Sequence, residues 1–73
     1  MRINLSPREE QIVRLAAQGH PNKIIAYELN ISAWTVNTHL RRIFAKLQVS
    51  SKTAMVGHYL NRHHREHGSS ATL

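Results

Sequence analysis

The chain has 73 residues, no cysteine, and ten lysine plus arginine residues against four acidic ones, which gives a formal net charge of +6. A chain this short forms one domain with one small core, and the lack of cysteine excludes a disulfide framework and a thiolate metal site. No apolar run approaches the roughly 18 residues that cross a membrane, and no export signal is present, so we expect a cytoplasmic protein.

The basic residues are concentrated in the second half of the chain. The stretch from Leu29 to Arg65 contains six basic residues and no acidic residue. A solvated helical surface normally mixes both signs, so this stretch indicates a polyanionic partner, with a merely soluble basic surface as the alternative.

The first predicted helix runs from Pro7 to about Gln18. Ser6 is a favourable N-cap, Pro7 suits the first helical position, and Glu9 completes a capping box with Ser6. Gly19 supplies a residue that ends a helix at low conformational cost.

The second predicted helix begins near Pro21 or Asn22 and ends at Leu29. Asn30 follows at a position where a left-handed residue would end the helix, and Ser32 caps the next one. Because only about three residues separate the two helices, the pattern predicts a helix-turn-helix.

The third predicted helix spans roughly Ala33 to Leu47. Its apolar residues recur at helical spacing on one side, and the opposite side is polar and basic without any acid. This distribution is the one needed to lie in the major groove of DNA. The apolar side consists of Val36, Leu40, Ile43, Phe44 and Leu47.

The fourth predicted helix runs from Ser51 to about Arg62. Its apolar residues cover a wider arc than one small core needs, so we expect Met55, Val56 and Tyr59 to face a second copy of the chain. Residues 1–66 are predicted to form the domain, and residues 67–73 a disordered tail.

One pattern of spaced positions extends from Leu5 to Tyr59. Its members are Leu5-Ser-Pro-Arg-Glu, Ala17-Gln-Gly with Asn22-Lys, Ile25-Ala, Leu29, Ile31-Ser32, Thr35-Val36, His39-Leu40, Ile43-Phe44, Lys46-Leu47 and Val49. This pattern resembles the LuxR-type (GerE-type) DNA-binding helix-turn-helix domain of bacterial transcription regulators. The resemblance implies an all-α, four-helix domain that binds double-stranded DNA through its third helix, regulates transcription, and forms a homodimer through its fourth helix.

The resemblance also implies a role for individual residues. The positions that usually contact bases correspond to Asn37, Thr38 and Arg41. The positions that usually hold phosphates correspond to Thr35, Lys46 and Lys52, with Ser32 at the start of the helix. Three departures from the family pattern, at Ala33-Trp34, Asn37 and Gln48, where glycine is common, leave the contacted base sequence unpredicted.

The chemistry of these side chains fits the implied roles. Arg41 can donate two hydrogen bonds to guanine, although a solvated arginine is the alternative. Asn37 either pairs with adenine or makes a local hydrogen bond, and Thr38 suits a thymine contact.

Cations on the flanks of the third helix meet the walls of the groove, which adds Arg42 to the phosphate contacts, with Lys23 from the second helix. Ser32 and Thr35 lie where the helix end favours a phosphate.

Three further features have open interpretations. Trp34 either contacts a deoxyribose or base edge or folds over the second helix. His39, beside the apolar stripe, is predicted to be a packed, hydrogen-bonded histidine. Four histidines crowd the end of the chain, where a zinc site is conceivable and a basic tail is the simpler interpretation, so we expect no cofactor. They are His58, His63, His64 and His67.

No enzyme class fits the sequence, because it has no cysteine nucleophile, no aspartate, no usable carboxylate pair and no glycine-rich phosphate loop. The alternative to a DNA-binding domain is a protein-interaction module that docks RNA polymerase or another regulator. The basic third helix argues against it. Nonspecific nucleoid binding is a second alternative.

Overall fold

The computed structural model describes the backbone of residues 5–71 and the side chains of residues 5–62. Over this range the chain is all-α, as predicted, and the described residues include no strand. The four helices are α1 (Pro7–Ala17), α2 (Asn22–Leu29), α3 (Ala33–Leu47) and α4 (Lys52–Ala71). The bounds of α2 and α3 agree with the prediction.

The start of α1 is closed by the predicted capping box. The Glu9 backbone N–H donates to Ser6 Oγ at 3.2 Å, and the Ser6 backbone N–H donates to Glu9 Oε1 at 2.9 Å. Two amide groups that would otherwise lack a helical partner are thus satisfied. The helix ends at Ala17, and Gly19 has a φ of +94° that turns the chain towards α2.

Two helices end on left-handed residues other than glycine. Asn30 after α2 has φ 57° and ψ 45°, as predicted, and Gln48 after α3 has φ 57° and ψ 44°. The next amide in each case bonds back to the helix, from Ile31 to the Ala26 carbonyl and from Val49 to the Phe44 carbonyl, both at 3.0 Å. These two turns fix the angle at which α3 leaves α2 and α4 leaves α3.

The core lies where the inner faces of the helices meet. Helix α1 packs against α4 and α3, and α2 packs against α3. The buried face of α3 matches the predicted stripe, with Phe44 partly buried beside it. The buried apolar residues are Ile12, Val13, Ala16, Ile25, Ala26, Val36, Leu40, Ile43, Leu47 and Met55.

The structure corrects one predicted interface residue. Met55 is fully buried in the core of the single chain, so it is not available to a second copy. The sequence misled because a wide apolar arc does not reveal which of its residues the chain's own core covers. An unbranched methionine fills irregular space between helices well, and this one lies on the inner side of α4.

Helix α4 continues to Ala71, past the end predicted near Arg62. No proline or glycine stands between Leu60 and His67, so nothing in the local sequence ends the helix at Arg62. The domain boundary at residue 66 and the disorder of residues 67–73 stay predictions.

Candidate nucleic-acid interface

The outward face of α3 is exposed and carries no acidic side chain. Trp34, Asn37, Arg41 and Arg42 are all exposed on it. Because the opposite side of the helix fills the core, this face is held at a constant orientation to the rest of the domain. It presents hydrogen-bond donors and positive charge to the surroundings.

The first turn of α3 is closed by hydroxyl groups. Ser32 Oγ accepts the Thr35 backbone N–H at 3.0 Å and lies 2.9 Å from Thr35 Oγ1. Ser32 therefore caps α3, as predicted, and the Thr35 hydroxyl is hydrogen-bonded to the capping side chain. The remaining free amides and the positive end of the helix dipole still favour an anion at this point.

Among the residues that the structure describes, Arg41 is the base-contact candidate without a partner. Its side chain is exposed and makes no hydrogen bond or ion pair with any residue that the structure describes. The full guanidinium fork is available, and such a fork matches the two acceptors of guanine.

Thr38 has only part of its hydrogen-bonding capacity available to a ligand. Its hydroxyl donates to the Trp34 carbonyl at 3.1 Å, one helical turn back. The hydroxyl hydrogen is therefore used within the helix. The methyl group and the remaining oxygen lone pair are left for a base, which fits contact with a thymine methyl.

Asn37 belongs to a hydrogen-bonded chain that joins three helices. Asn22 Nδ2 donates to Asn37 Oδ1 at 2.9 Å, and Lys52 Nζ donates to Asn22 Oδ1 at 3.0 Å. Lys52 also donates to the His20 carbonyl at 3.2 Å. The local hydrogen bond that was one of two interpretations of Asn37 is thus present. The side chains of Asn22, Asn37 and Lys52, with Arg41, line a groove of about 330 Å³.

Asn22 was not a predicted site residue. In the sequence it stands at the start of α2 and within the family pattern, and its partners lie 15 and 30 residues away. No local pattern could have indicated this contact, because it exists only when α2, α3 and α4 are assembled.

Lys46 is ion-paired to another helix of the domain rather than free for a ligand. Its ammonium forms an ion pair with Glu9 Oε1 at 2.7 Å, with the lysine side chain 42% and the glutamate side chain 5% exposed. Burial raises the pKa of the Glu9 carboxyl. Hydrogen bonds from Lys46 and from the Ser6 backbone, with the lysine charge, outweigh burial and bring that pKa below its ordinary value.

The predicted phosphate contacts therefore fall into two groups. Lys23 and Arg42 are exposed and make no hydrogen bond or ion pair within the described part of the chain. Lys46 and Lys52 are already bonded to other elements of the domain. An ammonium group has three donors, so each of these two keeps at least one, but neither is a freely placed cation.

The structure decides between the two placements of Trp34. The side chain is 75% exposed, so it does not fold over α2. Tyr27 on α2 is 81% exposed, and sequence reasoning did not single it out. An aromatic residue at the exposed start of α3 is available for contact with a sugar or a base edge.

The histidines give no indication of a metal centre over the described range. His39 and His58 are each partly buried, and the Nδ1 atom of each is buried without a hydrogen-bond partner. The hydrogen bond predicted for His39 is thus not found at this atom. Among the side chains of residues 5–62, no group of three potential metal ligands is close enough to hold an ion. His63, His64 and His67 lie outside the described side chains.

The surface of α4 retains part of the predicted interface. Val56 and Tyr59 are partly buried against the core, and Leu60 is 50% exposed. An apolar strip thus reaches the surface on this helix. No helix within the described residues is long and apolar enough to cross a membrane.

The fold and the exposed basic helix define a helix-turn-helix domain of the kind used in DNA-binding transcription regulation. Residues 3–59 match the family described as bacterial regulatory proteins, luxR family, so the chain belongs to this family.

Relatives share roughly half of the aligned residues. The chain is 48% identical over 52 residues to the monoamine regulon transcriptional regulator of Klebsiella aerogenes, a match that covers 71% of this chain and 23% of the relative. It is 44% identical over 48 residues to the nitrate/nitrite response regulator protein NarL of Escherichia coli, covering 66% of this chain and 22% of the relative. A putative HTH-type transcriptional regulator of Mycobacterium bovis is 43% identical over 53 residues, which is 73% of this chain and 6% of that protein. The chain thus spans less than a quarter of the length of each of these relatives.

Proposed function

We propose that this chain binds double-stranded DNA at specific sequences by inserting α3 into the major groove, and that this binding regulates transcription. The observation that carries the proposal is the uncovered, acid-free outer face of α3, on which Arg41 has no partner among the described residues. A helix of this kind, supported on its other side by a core, is what the major groove admits.

Arg41 is the principal base contact in this proposal. Asn37 and Thr38 lie near it on the same face and contact neighbouring positions. Each good base contact of this kind contributes about 1–3 kcal/mol of discrimination against the wrong base.

Phosphate contacts hold the domain in register on the duplex. Lys23 and Arg42 supply free positive charge, and the start of α3 at Ser32 and Thr35 accepts a further phosphate. Lys46 and Lys52 contribute only through the donors that their internal bonds leave.

The bound form is a homodimer in this proposal. Val56, Tyr59 and Leu60 form the apolar strip on α4 that a second copy would cover. A two-fold dimer contacts two half-sites about one helical turn apart. Because bacterial chromosomal DNA lies in the cytoplasm, the proposal includes a cytoplasmic location.

The test begins with selection of bound duplexes from a random DNA pool, followed by titration of the selected site and of random DNA. Arg41→Ala should weaken binding to the selected site by about 1–3 kcal/mol and relax the preference at one base pair. The matched control is Arg14→Ala, which removes the same charge from an exposed position on α1. Equal losses on selected and random DNA for Arg41→Ala would remove the base-contact role.

The alternative function is docking of RNA polymerase or another regulator, and the two exposed aromatic residues Tyr27 and Trp34 favour it. The salt dependence distinguishes the two functions. Binding that replaces several phosphate counterions gives a steep negative slope of log K against log salt, whereas docking through aromatic side chains does not.

A further inference from the structure

We infer that Asn22 is a positioning residue that determines which end of the Asn37 amide faces the DNA. Held by Lys52, Asn22 binds the Asn37 oxygen and leaves the Asn37 NH₂ group outward, so that Asn37 contacts a hydrogen-bond acceptor on a base edge. This inference rests on the proposed function above.

Lys52 sets the orientation of Asn22, because its ammonium is a donor with no lone pair. Whatever lies 3.0 Å from it on Asn22 must be an acceptor, so the Asn22 oxygen faces Lys52. The same ammonium donates to the His20 backbone carbonyl at 3.2 Å, an acceptor whose identity cannot change. Lys52 is thereby anchored, and the orientation of the Asn22 amide follows from it.

The orientation of Asn22 then determines that of Asn37. With its oxygen towards Lys52, Asn22 turns its NH₂ group to Asn37, at 2.9 Å. Two NH₂ groups cannot bond to each other, so the Asn37 oxygen must be the acceptor. The Asn37 NH₂ group is left for other partners, on an exposed side chain that lines the same groove as Arg41.

This polarity disfavours the adenine pairing considered from the sequence. Pairing with adenine uses the amide oxygen and NH₂ group together, and in this chain the oxygen is directed towards α2, where one of its two lone pairs accepts from Asn22. An outward NH₂ group matches edges with acceptors. Guanine presents two adjacent acceptors, O6 and N7, thymine presents O4, and cytosine presents only a donor. We therefore expect Asn37 to favour guanine and to disfavour cytosine.

Asn22→Asp reverses the polarity at nearly constant shape. A carboxylate still accepts from Lys52 but cannot donate, so the Asn37 amide turns to donate to it and presents its oxygen outward. At the Asn37-dependent base pair the preference should move from acceptor-bearing to donor-bearing bases. The ratio of affinities for the two classes should change roughly 5- to 150-fold. A negative charge in the first turn of α2 interacts favourably with the positive end of the helix dipole, so the variant should remain folded.

Three further variants complete the design. Asn37→Ala identifies the base pair at which preference depends on Asn37. Asn61→Asp lowers the net charge equally at an exposed position on α4 and should leave every base preference unchanged. Asn22→Ala should flatten the preference rather than reverse it, and should shift the side-chain amide NMR signals of Asn37 in the free protein.

The outcomes separate this inference from the function on which it rests. If Asn37→Ala alters one position and Asn22→Asp leaves that position unchanged, the inference is overturned while DNA binding stands. If Asn37→Ala alters no position but Arg41→Ala does, Asn37 contacts no base and the inference is again overturned. If the chain selects no sequence from the pool, the proposed function fails and the inference fails with it.

Discussion

The cations of this domain occupy two different environments, although they look alike in the sequence. On the outer face of α3, Arg41 and Arg42 are exposed and make no bond within the described part of the chain. Where α3 meets α1, Lys46 forms an ion pair with the buried carboxylate of Glu9. Basic residues on one helix are thus available to a ligand on its outer side and stabilise the fold where the helix meets α1.

The largest effect should come from removing the ion pair between Lys46 and Glu9. Lys46→Ala leaves Glu9 buried without its cation, so the free energy of unfolding should fall by about 1–3 kcal/mol. Solvent screening of the partly exposed Lys46 keeps this loss below that of a fully buried pair. Urea denaturation measures the change. Arg42→Ala is the matched control and should alter stability by less than about 0.5 kcal/mol. Equal losses for the two variants would contradict the division.

The binding side is tested by the salt dependence of DNA affinity. Lys23→Ala should weaken binding to all duplexes similarly and reduce the slope of log K against log salt by about 0.9, because one phosphate contact is lost. Lys46→Ala should reduce the slope less, since its ammonium is bound to Glu9. Titrations at several salt concentrations decide the matter, and a larger slope change for Lys46→Ala would reverse the assignment.

A second substitution that stabilises the fold would allow DNA binding by Lys46→Ala to be measured on folded protein. Gln48 holds a left-handed conformation that glycine adopts without a Cβ penalty, so Gln48→Gly should raise the free energy of unfolding by about 0.5–1 kcal/mol. Thermal unfolding checks this value. Combined with Lys46→Ala, the substitution restores part of the lost stability, so that DNA binding is measured on folded protein. No gain would mean that strain at this turn is negligible.

The smallest expected effect is on the acid side of the stability curve. The pKa of Glu9 is lower in the folded chain than its ordinary value of 4.5, so its ion pair contributes stability above about pH 4.5 that is lost as the pH falls through the folded pKa. Unfolding measured between neutral pH and pH 3 should show this loss in the wild type. In Lys46→Ala the loss should shrink, because the hydrogen bond and charge of the lysine no longer oppose the effect of burial, which raises the pKa of Glu9.

Local chemistry made most of the fold predictable. The capping box of Ser6 and Glu9, the left-handed turn at Asn30 and the apolar spacing of α3 depend on residues within one or two turns of each other. The exposure of Arg41 followed from the same periodicity, because burying one side of a helix presents the other. The end of α4 was predicted less well, since no residue near Arg62 stops a helix.

The partners of the site residues were not predictable in this way. Met55 was predicted to lie in a dimer interface, but it is buried in the core of the single chain. Lys46 and Lys52 were predicted to contact phosphates, but both are hydrogen-bonded within the domain. In each case the deciding neighbour lies on another helix. Spacing within one helix carries no information on such a neighbour.

By itself, then, the sequence determined the helices, the side of α3 that faces outward and the family to which the chain belongs, because these depend on short-range periodicity and residue type. Which cations are free and how the Asn37 amide is oriented depend on the packing of the helices. Those properties arise from hydrogen bonds and ion pairs between residues 15 to 37 positions apart, which form only when the helices pack.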